Sequence, residues 1–497
     1  MQRLSVAMIG LDAVGTNLIS LLKRVGPACE ALANELEHSV IAYIEPVPPY
    51  TPAVWTSMLS GVNPAKHGIA GFQRIERGRI GFHIRVNTAH DVSHPRIWEI
   101  LELNRVRSVI VNAPLTWPTS AMLVRDFTVV VSGWDSPRVE IHPIEAERRF
   151  GQYFDDYLSD WSSYVGRRAR HYVERAALGA LKRMQGVLEL VEHHEPDYLF
   201  YLVSEFDWIA HVTELSFETC RHSIEGLCSA LTSFLRAIAK RFDAVIAVSD
   251  HDMLWFSTAV NLYAALRAVA ESLGLDVRDL ISIEPKKRRL QPLTKALTMS
   301  VLGRAVYDST AARRLLTAVL RAVGGYELVY RCVYLGEPLA GIYVSRSSVC
   351  VELGRRLVEY LRPLGLDYVE SDKVFSGPLM HVMPDYVLKS LGSALAMQVG
   401  DRRAVLKSAR AEHGGYGVLA ALRGLELLSE VADRGEVIKP WTVALWIFKL
   451  LNVAPPSTVD CRDLAREYGL ELRRYGAWWL HKRIRSISLS ASGLQHR

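Results

Sequence analysis

The sequence predicts an α/β fold with a mainly parallel central sheet and helices on both faces. Short apolar, β-branched runs alternate with segments of helical periodicity, the pattern of strands buried on both sides. The composition, 49% apolar and 23% charged over 497 residues, is that of a folded globular chain. Three of the apolar runs are followed by acidic residues, at the end of the strand where such sheets bind their ligands.

Strands are predicted at Leu4–Gly10, Val106–Asn112, Phe127–Val131, Tyr198–Val203 and Ala244–Val248. Between them, Ala13–Arg24, Arg96–Leu103, Arg175–Glu192 and Ser223–Lys240 place apolar residues at helical spacing. A length of 497 residues predicts two or three domains. The chain divides into residues 1–255, the N-terminal part of a core; 256–405, an insertion or cap; 406–465, the C-terminal part of the core; and 466–497, a basic aromatic tail. The cap region carries Lys286-Lys287-Arg288-Arg289 and a strand-like Gly341–Val344. In the tail, Tyr475, Trp478 and Trp479 precede Lys482-Arg483-Ile484-Arg485, which reads as aromatics packed on the body or as an anion-seeking helix.

Composition excludes a disordered chain, a collagen-like repeat and a small disulfide scaffold. The most apolar stretch, Trp441–Val453, is interrupted by Lys449 and is short of the ~20 residues that span a bilayer. Leu4–Gly10 runs directly into Asp12, unlike a signal peptide. The six cysteines include no C-x-x-C pair, which disfavours zinc-thiolate and thioredoxin-like chemistry; a reduced, cytoplasmic chain is expected. A formal charge of +6 is mild for this size, so no stable nucleic-acid complex is expected.

The chemistry begins with position. Asp12 follows the first strand, Asp207 comes shortly after Tyr198–Val203, and Asp250 follows Ala244–Val248. Carboxylates gathered at one sheet edge repel unless cations are present. Asp250 is followed by His251, and Asp207 precedes His211 by one helical turn. A mixed Asp/His set suits zinc or a similar ion better than calcium or magnesium. Taken singly, each acid is an ordinary helix cap or turn residue; their co-occurrence makes the case. Thr51 sits at the expected N-cap of a short helix, with Pro52 at its first position and Gly61 at its stop. Free N–H groups there would suit a phosphate. A bound ion would turn a capping hydroxyl into a nucleophile.

The residues resemble the type I phosphodiesterase/nucleotide pyrophosphatase family of the alkaline phosphatase superfamily. The matching stretches are Gly10–Ala13, Thr51–Gly61 with Asn63-Pro64 and His67-Gly68-Ile69, Arg96–Leu101, Asn112–Pro118, Asp207–His211, Ser249–His251 and His413-Gly414. The resemblance implies an alkaline phosphatase-like fold. It also implies two divalent ions, zinc first with manganese or iron as alternatives. One would be held by Asp12, Thr51, Asp250 and His251, the other by Asp207, His211 and His413. It further implies that Thr51 attacks phosphorus, forms a phosphothreonine intermediate and is released by water with overall retention of configuration.

Two departures bear on the site. The asparagine that helps hold the phosphoryl oxygen in the eukaryotic enzymes has no counterpart in the Thr51 helix, and Asn112 is the candidate to replace it, a turn role being its alternative. The glycine usual after Asp-His is Asp252 here, which would add a carboxylate near the ions. The expected function is hydrolysis of a small phosphodiester or nucleotide pyrophosphate. Phosphomonoester, phosphonate or phosphosugar mutase chemistry on the same residues, and a non-catalytic binding protein, are the alternatives. The oligomeric state stays open. So does nucleic-acid binding through Lys286–Arg289 and the tail, which predicts a steep salt dependence.

Overall fold

The structure, a computed structural model, describes residues 3–78, 81–155, 157, 160–165, 168–275, 280–282, 329–330, 332–336, 341–392, 394–397, 403–424, 426, 435–479 and 482. The basic run Lys286–Arg289 and the tail beyond Lys482 lie outside the described residues. Two compact units are present. One comprises Met1–Asn63, Val92–Ser257 and Ala409–Tyr475; the other comprises Pro64–Asp91, Thr258–Ser408 and Gly476–Arg497.

The first unit is built, in chain order, from β1 (Val6–Leu11), α1 (Thr16–Leu22), α2 (Pro27–His38), β2 (Val40–Ile44), α3 (Thr51–Ser60), α4 (Ile97–Leu103), β3 (Ser108–Ala113), β4 (Thr128–Ser132), β5 (Ile141–His142), α5 (Ile144–Phe150), α6 (Ala169–His194), β6 (Tyr198–Val203), α7 (Glu205–Thr213), α8 (Arg221–Ala239) and β7 (Ala244–Val248). Two long strands then contribute, β8 (His251–Asn261) by its start and β9 (Val405–Arg423) by its end. They are followed by β10 (Glu436–Ile438), α9 (Val443–Leu450) and α10 (Arg462–Glu467). The central strands run in the order β7-β1-β6-β3-β4, all parallel. Antiparallel β9 and β5 flank them, and β2 and β10 extend the β9 side. This is the mainly parallel α/β sheet that the sequence predicts.

Alternation along β1 and β6 divides the core in two. Ala7, Ile9 and Leu11 join Leu199, Tyr201 and Val203 in a cluster with Leu32 of α2, Leu190 of α6 and Leu227 and Leu231 of α8. Phe200, on the opposite face, meets Trp55 of α3 edge-on at 5.7 Å. A Cβ on Gly10 would lie 2.7 Å from both the Trp55 ring and Leu202, so glycine is what lets α3 seat against β1. Every residue of α3 is buried, with the Ser57 and Ser60 hydroxyls donating to carbonyls one turn back. Strand β9, helix α2 and strand β2 were not among the predicted elements. Of these, β9 carries His413.

Four of the six cysteines are paired, Cys29 with Cys228 and Cys332 with Cys350; Cys220 and Cys461 form no disulfide. This corrects the expectation of a reduced chain. Cys29 lies on α2 and Cys228 on α8, packed helices far apart in sequence, so their spacing carried no pairing signal. Disulfides persist in oxidising compartments and in intracellular proteins of hyperthermophiles. The cysteine argument for a cytoplasmic location therefore falls away. Among the described residues no helix is long and apolar enough to cross a membrane.

The second unit contains the hairpin Gln73–Arg77/Phe82–Val86 and a four-stranded antiparallel sheet. That sheet runs in the order Val333–Leu335, Ile342–Val344, Tyr386–Ser390, Leu366–Glu370. Helix Ser348–Leu361 lays Leu353 and Leu357 into this unit and is tied to it by the Cys332–Cys350 bridge. Trp478 is fully buried and Trp479 is exposed.

Candidate active site

Asp12 leaves β1 with its N–H bonded to the carbonyl of Val203, so β1 and β6 hold the residue at the sheet edge. A turn with Ala13 at φ 63 then leads into α1. The N–H groups of Asn17 and Leu18, which open that helix, donate to Asp252 at 2.6 and 3.1 Å. The Thr16 hydroxyl donates to the same carboxylate at 3.3 Å. A Cβ on Gly15 would fall 2.3 Å from that of Asp252, so the contact requires glycine. Asp252 therefore caps α1 instead of adding a carboxylate to the ion site, which corrects the expectation. The helix start offers unpaired donors and a positive dipole end.

Thr51 is the first helical residue of α3, so the helix begins one residue earlier than expected. The cap is Tyr50, at φ −130 and ψ 125. The reason lies in the first hydrogen bonds: the N–H groups of Ala53 and Val54 both donate to the Tyr50 carbonyl. Pro52 has no N–H, so the first turn offers the Thr51 N–H alone, a smaller phosphate cradle than the sequence implied. The buried Thr51 hydroxyl lies 3.2 Å from Nε2 of His251. Nδ1 of His251 faces the carbonyl of Asp252 at 3.1 Å. That bond selects the tautomer with the Nε2 lone pair directed at the site.

Donor atoms of Asp12, Asp250 and His251 converge within 4.8 Å of one another. Nε2 of His251 is 3.2 Å from Asp250 Oδ2 and 3.7 Å from Asp12 Oδ1. A second cluster joins Asp207 and His211, on one face of α7, to His413 of β9. The two imidazole Nε2 atoms stand 3.1 Å apart, with Asp207 Oδ1 at 3.5 Å from His211 and 3.3 Å from His413. The clusters adjoin: the rings of His251 and His413 stack at 4.1 Å. All seven residues named for the two ions thus lie in this one region of the first unit.

The residues fit two cations. Both oxygens of Asp12, Oδ2 of Asp250 and Oδ1 of Asp207 are buried without a hydrogen-bond partner among the described residues. Such atoms are costly unless a positive charge meets them. Ligands at ~2.0–2.1 Å in a tetrahedral set stand about 3.3 Å from one another, close to the separations in the second cluster. The field of the protein groups tells the same story. Burial and the neighbouring Asp250 push Asp12 well above the usual carboxylate range. Burial and the charge of Asp207 take Asp250 up to about 7. Burial would raise Asp207 too, yet His211 and His413 hold it well below its ordinary value. Burial works against a charge on His413, but Asp207 lifts it to about 9. His251 is pushed well below the usual imidazole value by burial and by His413.

Asn112 stands apart from this chemistry. Its amide donates to the Leu202 carbonyl at 2.8 Å and to the Ser204 hydroxyl at 3.2 Å, and its oxygen accepts the Trp134 N–H. Both donors are committed to tying β3 to the end of β6, leaving none for a phosphoryl oxygen. The structure also supplies neighbours that sequence reasoning missed. Trp161 stacks flat on His211 at 4.3 Å, and a buried Arg183–Glu205 pair joins α6 to the start of α7. Glu412 places Oε1 about 4 Å from both imidazoles of the second cluster. Adjacent residues of a strand ordinarily face opposite ways, so the position beside His413 carried no such signal.

The model of the type I phosphodiesterase / nucleotide pyrophosphatase family matches residues 6–306, and the chain belongs to that family. It is a hydrolase acting on phosphoric esters, with the alkaline phosphatase-like fold. Among solved structures, phosphonoacetate hydrolase from Sinorhizobium meliloti 1021 in complex with phosphonoformate is similar at a TM-score of 0.54. Identity is 15%, with 91% of this chain and 96% of that chain covered. Murine ectonucleotide pyrophosphatase / phosphodiesterase 5, an inactive form in complex with AMP, is similar at a TM-score of 0.53. Identity there is 10%, with 94% of this chain and 99% of that chain covered. At these identities the likeness is one of fold. No curated protein matches the chain.

Proposed function

We propose that the chain hydrolyses a small phosphodiester or nucleotide pyrophosphate, with Thr51 as nucleophile and two divalent ions, zinc by preference, as cofactors. The observation that carries this reading is the buried Thr51 hydroxyl 3.2 Å from His251, beside carboxylate oxygens that no hydrogen bond satisfies. Asp12, Thr51, Asp250 and His251 would hold one ion, and Asp207, His211 and His413 the other. Bound there, the ions supply Lewis-acid stabilisation of charge on the attacking and leaving oxygens. The fold neighbours lend support by their ligands, AMP and phosphonoformate.

The chain's own residues set the geometry. Helix α3 points its first turn, and the Thr51 N–H, toward the phosphoryl oxygens. The Thr51 hydroxyl gives its proton to solvent water and its oxygen attacks phosphorus; the bond to the leaving oxygen breaks, and the alcohol or nucleotide departs, protonated by water, on the side of Asp207, His211 and His413, giving a phosphothreonine. Water entering from that side then attacks phosphorus and returns Thr51. Two in-line displacements retain configuration.

The test is hydrolysis of bis-p-nitrophenyl phosphate and p-nitrophenyl phosphate by metal-stripped protein, with and without added zinc or manganese. Metal-dependent diester turnover, reduced at least a thousandfold in Thr51→Ala, is expected. Clear preference for the monoester would move the function to the phosphatase or phosphonate siblings. Inversion with a chiral phosphorothioate would exclude the covalent scheme.

A further inference from the structure

We propose that Glu412 is a fourth protein ligand of the cation site formed by Asp207, His211 and His413, giving that site a second carboxylate. The proposal rests on reading those three residues as a cation site.

The geometry around Glu412 is specific. Oε1 lies 4.0 Å from Nε2 of His211 and 3.9 Å from Nε2 of His413. The same oxygen accepts the backbone N–H of His413 at 3.2 Å, which turns it toward the imidazoles. Oε2 is held on its other side by Arg410 at 3.2 Å. Glu412 is 9% exposed, so the carboxylate is withdrawn from water and pinned at both ends. Independently, Asp207 Oδ1 is buried without a hydrogen-bond partner and stands beside the same pair of nitrogens. Glu412 Oε1 thus faces the same pair of imidazole nitrogens that Asp207 Oδ1 faces, while the donor atoms within 4.8 Å of one another are those of Asp207, His211 and His413. Gly415, at φ 78, bends β9 just beyond His413, in keeping with a strand that departs from regular alternation here.

The consequence is a change in the kind of ion preferred. An Asp-His-His set is borderline in character. A further hard oxygen shifts preference toward ions such as manganese, which favour carboxylate, relative to zinc. The additional carboxylate expected from Asp252 is thus supplied by Glu412, from a different strand.

The experiment is calorimetric titration of the metal-stripped full chain with Mn2+ and, separately, Zn2+, on wild type, Glu412→Gln and Glu412→Asp. Wild type is expected to bind two ions. In Glu412→Gln one of the two sites should weaken at least tenfold for Mn2+ and by a clearly smaller factor for Zn2+, the other staying within twofold. Glu412→Asp keeps the charge but is one methylene shorter, and should show the same manganese-selective loss; it also serves if the glutamine variant folds poorly, as judged by its melting curve. Wild-type affinity in Glu412→Asp, or equal losses for both ions, would show that the carboxylate acts through charge alone and overturn the proposal. Failure of wild type to bind any ion would sink the cation-site reading and this inference together. Two bound ions with unchanged affinities in both variants would sink this inference only.

Discussion

Nε2 of His211 and Nε2 of His413 meet at 3.1 Å, brought together across a sequence separation of 202. Two imidazole lone pairs hold this separation only with a proton or a cation between them. A proton there is stabilised by Asp207, which keeps His413 charged up to about pH 9. Ion and proton therefore compete. Below about pH 9 the affinity of this site for a divalent ion should rise roughly tenfold per pH unit, one proton leaving for each ion bound. Titrations at pH 6, 7 and 8 measure the slope, and His413→Ala should leave one ion per chain in place of two.

Asp252 secures the start of α1, and through it the turn that carries Asp12. Its replacement by alanine removes a cap bonded to Asn17 and Leu18 and should cost about 1–2 kcal/mol. Gly15→Ala should also destabilise, because the new Cβ would lie 2.3 Å from the Cβ of Asp252. Urea denaturation of both variants measures this.

In the second unit, Asp91 receives two bonds from Arg85, at 2.6 and 2.8 Å. Burial opposes its charge, but Arg85 prevails and holds the carboxyl down to about 2, against an ordinary 3.8. A group whose folded pKa lies below its unfolded one stabilises above the unfolded value and loses that contribution on acidification. About 2 kcal/mol should therefore be present above pH 4 and lost as pH falls toward 2. Asp91→Asn should flatten this part of the acid-unfolding curve.

The two disulfides should contribute unequally. Cys29–Cys228 joins residues 199 apart in sequence and Cys332–Cys350 residues 18 apart. In the chain-entropy account the longer loop restrains the unfolded chain more, by about 2 kcal/mol. Replacing the first pair by alanine should lower the denaturation midpoint further than replacing the second.

Much of the first unit was legible in the chain. Tyr198–Val203 and Ala244–Val248 form strands over the predicted residues, because a strand buried on both faces is an uninterrupted apolar run. Asp207 with His211, and Asp250 with His251, were visible as pairs because each lies within one turn or one peptide bond, where spacing alone dictates proximity. Helix α3 was visible from Pro52 and Gly61, but its start moved by one residue, since the Tyr50 carbonyl gathers two N–H groups.

What the sequence by itself determined is the central parallel strands and the local pairs of donors at their ends, because short-range periodicity governs both. Tertiary structure decided which acids face the site. Asp252 turns to α1, Glu412 turns to His211 and His413, and the amide of Asn112 is consumed between strands. It also decided that His413, on a strand the periodicity did not reveal, completes the second cluster. A side chain's direction at a strand end depends on which backbone groups from distant segments are there to meet it. That information lies in the packing of the sheet, beyond the reach of neighbouring residues.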